Sequence, residues 1–351
     1  MLPYYLIILL ICIFLFKKND TNVYKLLCFL LFAFAIMRGN GSGDYFRYLN
    51  YSTLITHLSN LLNFNFPMEI GFRLISFFVN TLSIHRQFVI IIMNTISLLL
   101  IFRFIKKNSP DLILSLFLYI PMFFQFEMHA TRTAVAYAIL TLAYENIEEN
   151  NKRYKFFIYL ILACCFHKSA IIFLIAFILL NKKPHKTIIL ASLFISYIVT
   201  LFINIDYIIL NILNTLHLDQ FSSKFINYIN SVEYGYRFSL FDPRLLICVF
   251  TLVFSLLFIN KISRRNYNLL IMQWITCLIM ILLSNHTIFV TRFSSFFNVY
   301  SIILYPNILE IIKKSQSTKN YYTFIKIILI ILYLIIDVFI LGGYVEYRLF
   351  I

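Results

Sequence analysis

A chain of 351 residues that is 61% hydrophobic, 18% aromatic and only 13% charged groups by composition with polytopic helical membrane proteins and not with soluble domains. Its formal charge of +15 would point to nucleic acid in a soluble protein, but here the basic residues lie mostly in short loops between apolar runs, a topogenic pattern that excludes a nucleic-acid partner. The six cysteines all fall inside apolar segments without paired spacing, so they read as small packing residues, and neither a metal site nor a cofactor is expected.

Hydropathy and charge predict an all-α, polytopic integral membrane protein with about 12 transmembrane helices plus one re-entrant or interfacial helix, residues 1–351 forming a single membrane domain. Residues 2–16 read as a retained first span, because no basic n-region or small-residue cleavage site accompanies them. Lys17 and Lys18 set the first loop on the cytoplasmic side, ahead of a second span at 23–37. Residues 38–86 then form an outer loop with Arg38, a glycine-rich stretch, Asp44, Tyr45, Arg47 and Tyr48, followed by Pro67 and Glu69 opening an apolar run. Proline at a first helical turn with a carboxylate after it is helix-start chemistry. A full span here would put Lys106 and Lys107 outside and invert every later loop, whereas a re-entrant helix lining protein or a watery cavity avoids the conflict.

Spans follow at 87–105, 112–126, 131–144, 156–166, 169–180 and 187–204, then a long outer loop at 205–240, then spans at 245–259, 267–284, 288–312 and 321–341. In this topology lysines crowd the inner loops, while Arg38, Arg47, Arg73, Arg86, Arg132, Arg237, Arg244, Arg292 and Arg348 lie outside. Lysine inside is a topology signal. Arginine on the opposite face fits bidentate recognition of phosphate or carboxylate, against the alternative of snorkelling to headgroups.

Four constellations carry chemistry. Glu69 and Arg73 stand four apart, so on one helix they would pair or face the cavity together. His129 and Arg132 share a face at the start of an inward span, where an anion would meet both the guanidinium and the helix dipole, with a structural histidine as the other reading. His167 and Lys168 interrupt an apolar stretch, which reads as two short helices meeting at His167 and an aqueous recess in the outer leaflet. His286 and Arg292 open another span, where a buried arginine wants either Asp337 or a ligand phosphate. The 205–240 loop adds Asp206, Asp219, Glu233, Tyr234, Tyr236 and Arg237, a sugar-compatible set.

Arg38 with Gly43, Asp44, Tyr45 and Tyr48, then Glu69 before Ile-Gly-Phe, Arg132 before a small-residue helix, the run Phe166 to Ala170, and Arg292, in that order, resemble the EpsG family, which is associated with Wzy-type polymerases of bacterial O-antigen and capsular or exopolysaccharide. The chain departs from that pattern around Arg132, where family members more often carry Asn before the arginine and Gln after it. The resemblance implies a glycosyltransferase that joins undecaprenyl-diphosphate-linked repeat units at the periplasmic face of the inner membrane, without a metal, within membrane lipid and with a chain-length regulator as a further partner. It implies diphosphate or sugar binding by Arg38, Tyr45, Tyr48, Arg73, His129, Arg132, Lys168, His286 and Arg292, and a catalytic base among His167, Asp44 and Glu69. The competing readings are an O-antigen ligase, a membrane acyltransferase and a lipid-linked oligosaccharide flippase. The last predicts a charge-lined cavity open to both sides, whereas these histidines and arginines gather on one.

Overall fold

The computed structural model describes residues 2–16, 20–39, 44–63, 66–148, 153–203, 205–215, 217, 219–231, 236–316, 318–341 and 347–350. Among these the fold is all-helical apart from an isolated antiparallel bridge between Arg38 and Leu349. The chain divides into two compact units, Met1–Ile178 with Ile302–Ile351, and Leu179–Ser301.

In the first unit, helix Thr131–Glu148 packs between Gln87–Asn108 and Arg153–Cys164. Buried Ala134, Ala136, Ala138 and Ala143 make this close approach possible, as small residues do between membrane helices. Polar clusters pin one end of this bundle. Glu145 accepts from Arg103 (3.1 Å), Lys107 (3.2 Å) and Asn108 (3.2 Å). Asp111 caps helix Leu112–Met122 through the Leu114 N–H and receives Lys326 at 2.8 Å, whose Nζ also reaches the Leu15 carbonyl. In the second unit, Arg264–Leu282 is the central helix, packed by Lys186–Phe202, Pro243–Leu256 and Thr287–Asn298. Cys248 and Cys277 meet there with sulfurs 3.3 Å apart, both free thiols in packing positions.

Among the described residues three helices are long and apolar enough to cross a membrane, Gln87–Asn108, Arg264–Leu282 and Lys319–Leu341, or up to five if each of two bent pairs is one span. Six more apolar helices have 10–17 residues, short of the ~20 that a hydrocarbon core needs, so helix length does not establish the twelve spans expected from hydropathy. The 205–240 connection holds two helices, Ile205–Thr215 and Asp219–Ile229, while Glu233 and Tyr234 lie outside the described residues.

Two local features position the site. The apolar stretch around His167 does break. Helix Arg153–Cys164 ends, and the 3-10 helix Lys168–Phe173 and the helix Leu174–Leu179 follow it. The run after Pro67 starts its helix later than proline chemistry predicts, at Ile70, with Glu69 as an N-cap in extended backbone and Pro67 ahead of it. Gly71 donates its N–H to the Cys165 carbonyl at 2.7 Å, and a Cβ at Gly71 would come 2.8 Å from that oxygen and 3.0 Å from the Phe166 ring. Glycine is required here by close approach. Gly71→Ala is expected to cost about 1–3 kcal/mol through this overlap, read as a lower midpoint of SDS-induced unfolding in mixed micelles.

Candidate functional site

Helix starts converge in the first unit. Asp44 precedes helix Tyr45–Thr53, Glu69 precedes Ile70–Thr81, and Arg132 is the second residue of Thr131–Glu148. Free N–H groups and the dipole make such ends electropositive, so two carboxylates and any further anion are favoured at this point. Arg132 is the hub. It hydrogen-bonds and ion-pairs Glu69, lies 4.0 Å from Asp44 Oδ2, and stacks its guanidinium over the Tyr48 ring at 5.6 Å. Its backbone N–H donates to the Tyr48 hydroxyl at 3.4 Å, Tyr48 donates to Asp44 Oδ2 at 3.4 Å, and the Asp44 N–H donates to the His129 carbonyl at 3.0 Å. Arg47, more exposed, reaches Asp44 Oδ1 at 3.4 Å. Burial first and Asp44 second push the Tyr48 hydroxyl up to about 12, so it stays a donor at neutral pH.

Beside this hub, Arg38 is buried, with one donor on the Thr131 hydroxyl at 3.1 Å, its Nε without a partner and no ion pair among the described residues. Its backbone is clamped. Gln87 donates to the Arg38 carbonyl at 2.7 Å and accepts from Tyr45 at 2.8 Å. The C-terminal strap 347–350 adds bonds from the Gly39 N–H to the Arg348 carbonyl (2.7 Å) and from the Phe350 N–H to the Met37 carbonyl (2.8 Å). Tyr347 stacks on Phe34 at 4.3 Å, anchoring the strap. A buried guanidinium without an ion pair is costly, and the Glu127 carboxyl offsets part of that cost through its charge. The neighbouring glycines Gly41 and Gly43 lie outside the described residues.

Sequence reasoning passed over Glu127. Fully buried, it accepts from Ser97 (2.6 Å), Tyr119 (2.7 Å) and Tyr137 (3.4 Å), at the end of a π-helical turn, Phe123–Glu127. The available signal was a lone carboxylate closing an apolar run, which is expensive in a membrane. His129 follows it, pushed down to about 3 by burial and then by the charge of Arg38. It is therefore neutral at pH 7, a hydrogen-bonding group and not a second cation for an anion.

The expected Glu69–Arg73 pair is absent. Glu69 goes to Arg132, while Arg73 donates to the carbonyls of Asn60 (3.2 Å) and Asn63 (2.6 Å) and keeps an unpartnered Nε. Glu69 sits outside the helix that carries Arg73, so helical periodicity does not bring them together. His167 is the buried N-cap of the 3-10 helix, and the Lys168 N–H approaches Glu69 Oε1 at 3.5 Å. A cavity of about 490 Å³ opens here, apolar except for Glu69, Arg73 and Lys168.

In the second unit, Arg292 donates to the Tyr228 hydroxyl at 3.1 Å and stacks on its ring at 5.3 Å. It makes no ion pair among the described residues, and Asp337 in the first unit is buried with both carboxylate oxygens unpartnered. His286 Nε2 bonds to Asp206 at 3.0 Å, and Asn285 donates to the same oxygen at 3.3 Å. No cluster able to hold a metal ion occurs among the described residues.

Comparison with protein families matches the EpsG family over residues 21–349, nearly the whole chain. The chain belongs to the EpsG family. This is a family of Wzy-like polymerases, and membership suggests a Wzy-type polymerase of exopolysaccharide or O-antigen synthesis. Neither the curated proteins nor the solved structures provide a match. The matched range takes in every residue of the Arg132 hub of this EpsG chain and both Arg38 and the strap residue Leu349 that bridges to it. The hub itself is testable as a coupled unit. Arg132→Gln is expected to cost about 3–5 kcal/mol by leaving the Glu69 carboxylate without its cation, while Asp44 keeps Arg47. Glu69→Gln in that background should restore part of it, a coupling of about 1–3 kcal/mol in a double-mutant cycle of SDS unfolding.

Proposed function

We propose that this EpsG chain is a membrane glycosyltransferase that joins undecaprenyl-diphosphate-linked oligosaccharide repeat units at the periplasmic face of the inner membrane. The observation that carries the reading is Arg132, held between Glu69 and Asp44 where helix starts converge, beside the partly unpaired Arg38 and at the polar end of an apolar cavity. Such a group of cations and positive dipoles suits a phosphate-bearing lipid.

Transfer forms a bond between an acceptor sugar hydroxyl oxygen and the anomeric carbon of the donor, and breaks the bond from that carbon to the diphosphate oxygen. The diphosphate leaves with the electron pair, and the acceptor proton passes to a base. Arg132 and Arg38 take the role of neutralising the departing diphosphate. Asp44 takes that of the base, because its bonds to Tyr48 and Arg47 are long, at 3.4 Å each, whereas Glu69 is committed to Arg132. Glu69 then holds Arg132 in place until a diphosphate competes for it, and Tyr48, protonated at neutral pH, orients Asp44.

The test is the surface-polysaccharide ladder of a deletion strain. Loss of the long-chain ladder with retention of single repeat units supports the polymerase. Complementation with wild type should restore long chains, while Arg132→Ala and Asp44→Asn variants present at normal membrane level should not, with a loss of at least about 100-fold in polymer for the base. Complete loss of capped product would instead point to a ligase, and unchanged ladders would remove the proposal.

A further inference from the structure

The cavity beside Glu69 has features that the polymerase reading leaves unused. Its volume of about 490 Å³ is within the usual range for small-molecule sites, roughly 300–1,000 Å³. Leu61, Phe66, Phe157, Ile161, Cys164 and Ile171 line it. Of these, Ile161 and Ile171 are more than half exposed, on helices that would face lipid, so the cavity is continuous with an apolar surface through which a chain could slide in from the bilayer. Three charged residues stand at one end. Glu69 is neutralised by Arg132. Lys168 is exposed and forms no ion pair among the described residues, and Arg73 is 95% buried, bonded only to carbonyl oxygens and with its Nε unpartnered. An apolar cavity with a surplus of positive charge at one end matches an amphiphile that has a branched or straight hydrocarbon tail and an anionic head.

We propose that this cavity is the seat of the phosphate-proximal isoprene units of a polyprenyl-phosphate-type substrate, with the phosphate end held by Lys168 and Arg73 and the rest of the tail left in the bilayer. The choice of a polyprenyl lipid over a glycerolipid rests on the polymerase reading. The tail would then enter between helix Arg153–Cys164 and the turn Leu58–Leu61 and deliver its head group to the side of the Arg132 hub occupied by Glu69. This gives Glu69 a second duty as the boundary between lipid tail and diphosphate.

The native cysteines supply the assay. Cys164 and Cys165 line the cavity and are part-exposed free thiols, and Cys12 is a part-exposed free thiol outside it. Full-length protein in nanodiscs is treated with a membrane-permeable maleimide, and labelling at each cysteine is read by peptide mass spectrometry with undecaprenyl phosphate or phosphatidylglycerol added at equal mole fraction. The expected result is a several-fold slower labelling of Cys164 and Cys165 with undecaprenyl phosphate only, with Cys12 unchanged, and a higher undecaprenyl phosphate requirement for protection in Lys168→Gln. Equal protection by phosphatidylglycerol would make the cavity an ordinary lipid contact and overturn the proposal, as would no protection by either lipid. Protection undiminished in Lys168→Gln would overturn the assignment of the phosphate end. Because this readout needs no turnover, absent protection with an intact polymer ladder removes the cavity assignment alone. Protection together with an unchanged ladder in the deletion strain removes the polymerase reading instead.

Discussion

The arrangement depends on a charge balance at one guanidinium. Arg132 satisfies Glu69 directly and sits 4.0 Å from Asp44, which the more exposed Arg47 also reaches at 3.4 Å, so two carboxylates that would repel one another in a low-dielectric setting share one cation between them. The helices that begin at Tyr45, Ile70 and Thr131 lend their N-terminal dipoles to the same point. Asn80, which donates to the Ser52 and Ile55 carbonyls, and the Tyr48–Phe72 ring contact also join the segments carrying Asp44 and Glu69, so removing Arg132 strips Glu69 of its cation without separating them. In the proposed reaction a phosphate arriving at this ion pair would replace one carboxylate in an existing balance instead of requiring a new desolvated charge.

Around that balance the first unit is chemically polarised along its helices. The C-terminal ends of Gln87–Asn108 and Thr131–Glu148 are tied by Glu145 to Arg103, Lys107 and Asn108. Their N-terminal ends carry Gln87 and Arg132, which meet Arg38, Tyr45, Asp44 and Glu69. One end is thus a structural clamp with a saturated carboxylate. The other keeps an arginine, Arg38, whose donors are not all used and whose backbone is held by Gln87 and by the strap 347–350. Glu127 with Ser97, Tyr119 and Tyr137 fills the interior just beneath it with a hydrogen-bonded network.

Much of this is legible in the sequence, for identifiable reasons. Apolar runs separated by basic loops mark the helices, and His167 with Lys168 in an apolar stretch marks the break, because a cation left in the middle of a continuous span would be stranded in hydrocarbon. Arg38, Asp44, Glu69 and Arg132 each stand out as costly residues next to membrane-length segments. Their partners are not legible. An i,i+4 rule joins Glu69 to Arg73, but it holds only within a helix, and Glu69 sits one residue ahead of one, at ψ 161°. Arg132 lies 63 residues from Glu69 in sequence, and tertiary pairing over that distance leaves no local pattern. Glu127 escapes notice because its partners are distant in sequence, and only the fold brings Ser97 and two tyrosines to it. Helix lengths are the weakest inference. Hydropathy marks where a segment is apolar, whereas caps, a π-turn and 3-10 pieces decide how long each helix runs.

The central claim is that the Arg132 hub is the reaction centre, and it is tested most directly with purified protein in nanodiscs and one defined lipid-linked repeat unit. The measurement is the formation of dimeric glycan together with release of undecaprenyl diphosphate, followed for wild type and for Asp44→Asn. The account predicts stoichiometric formation of both products by wild type, and in Asp44→Asn a kcat lowered by about 10²–10⁴-fold with KM little changed. An Asp44→Asn enzyme with wild-type kcat, or a wild-type enzyme that binds the lipid and forms no dimer, would contradict it.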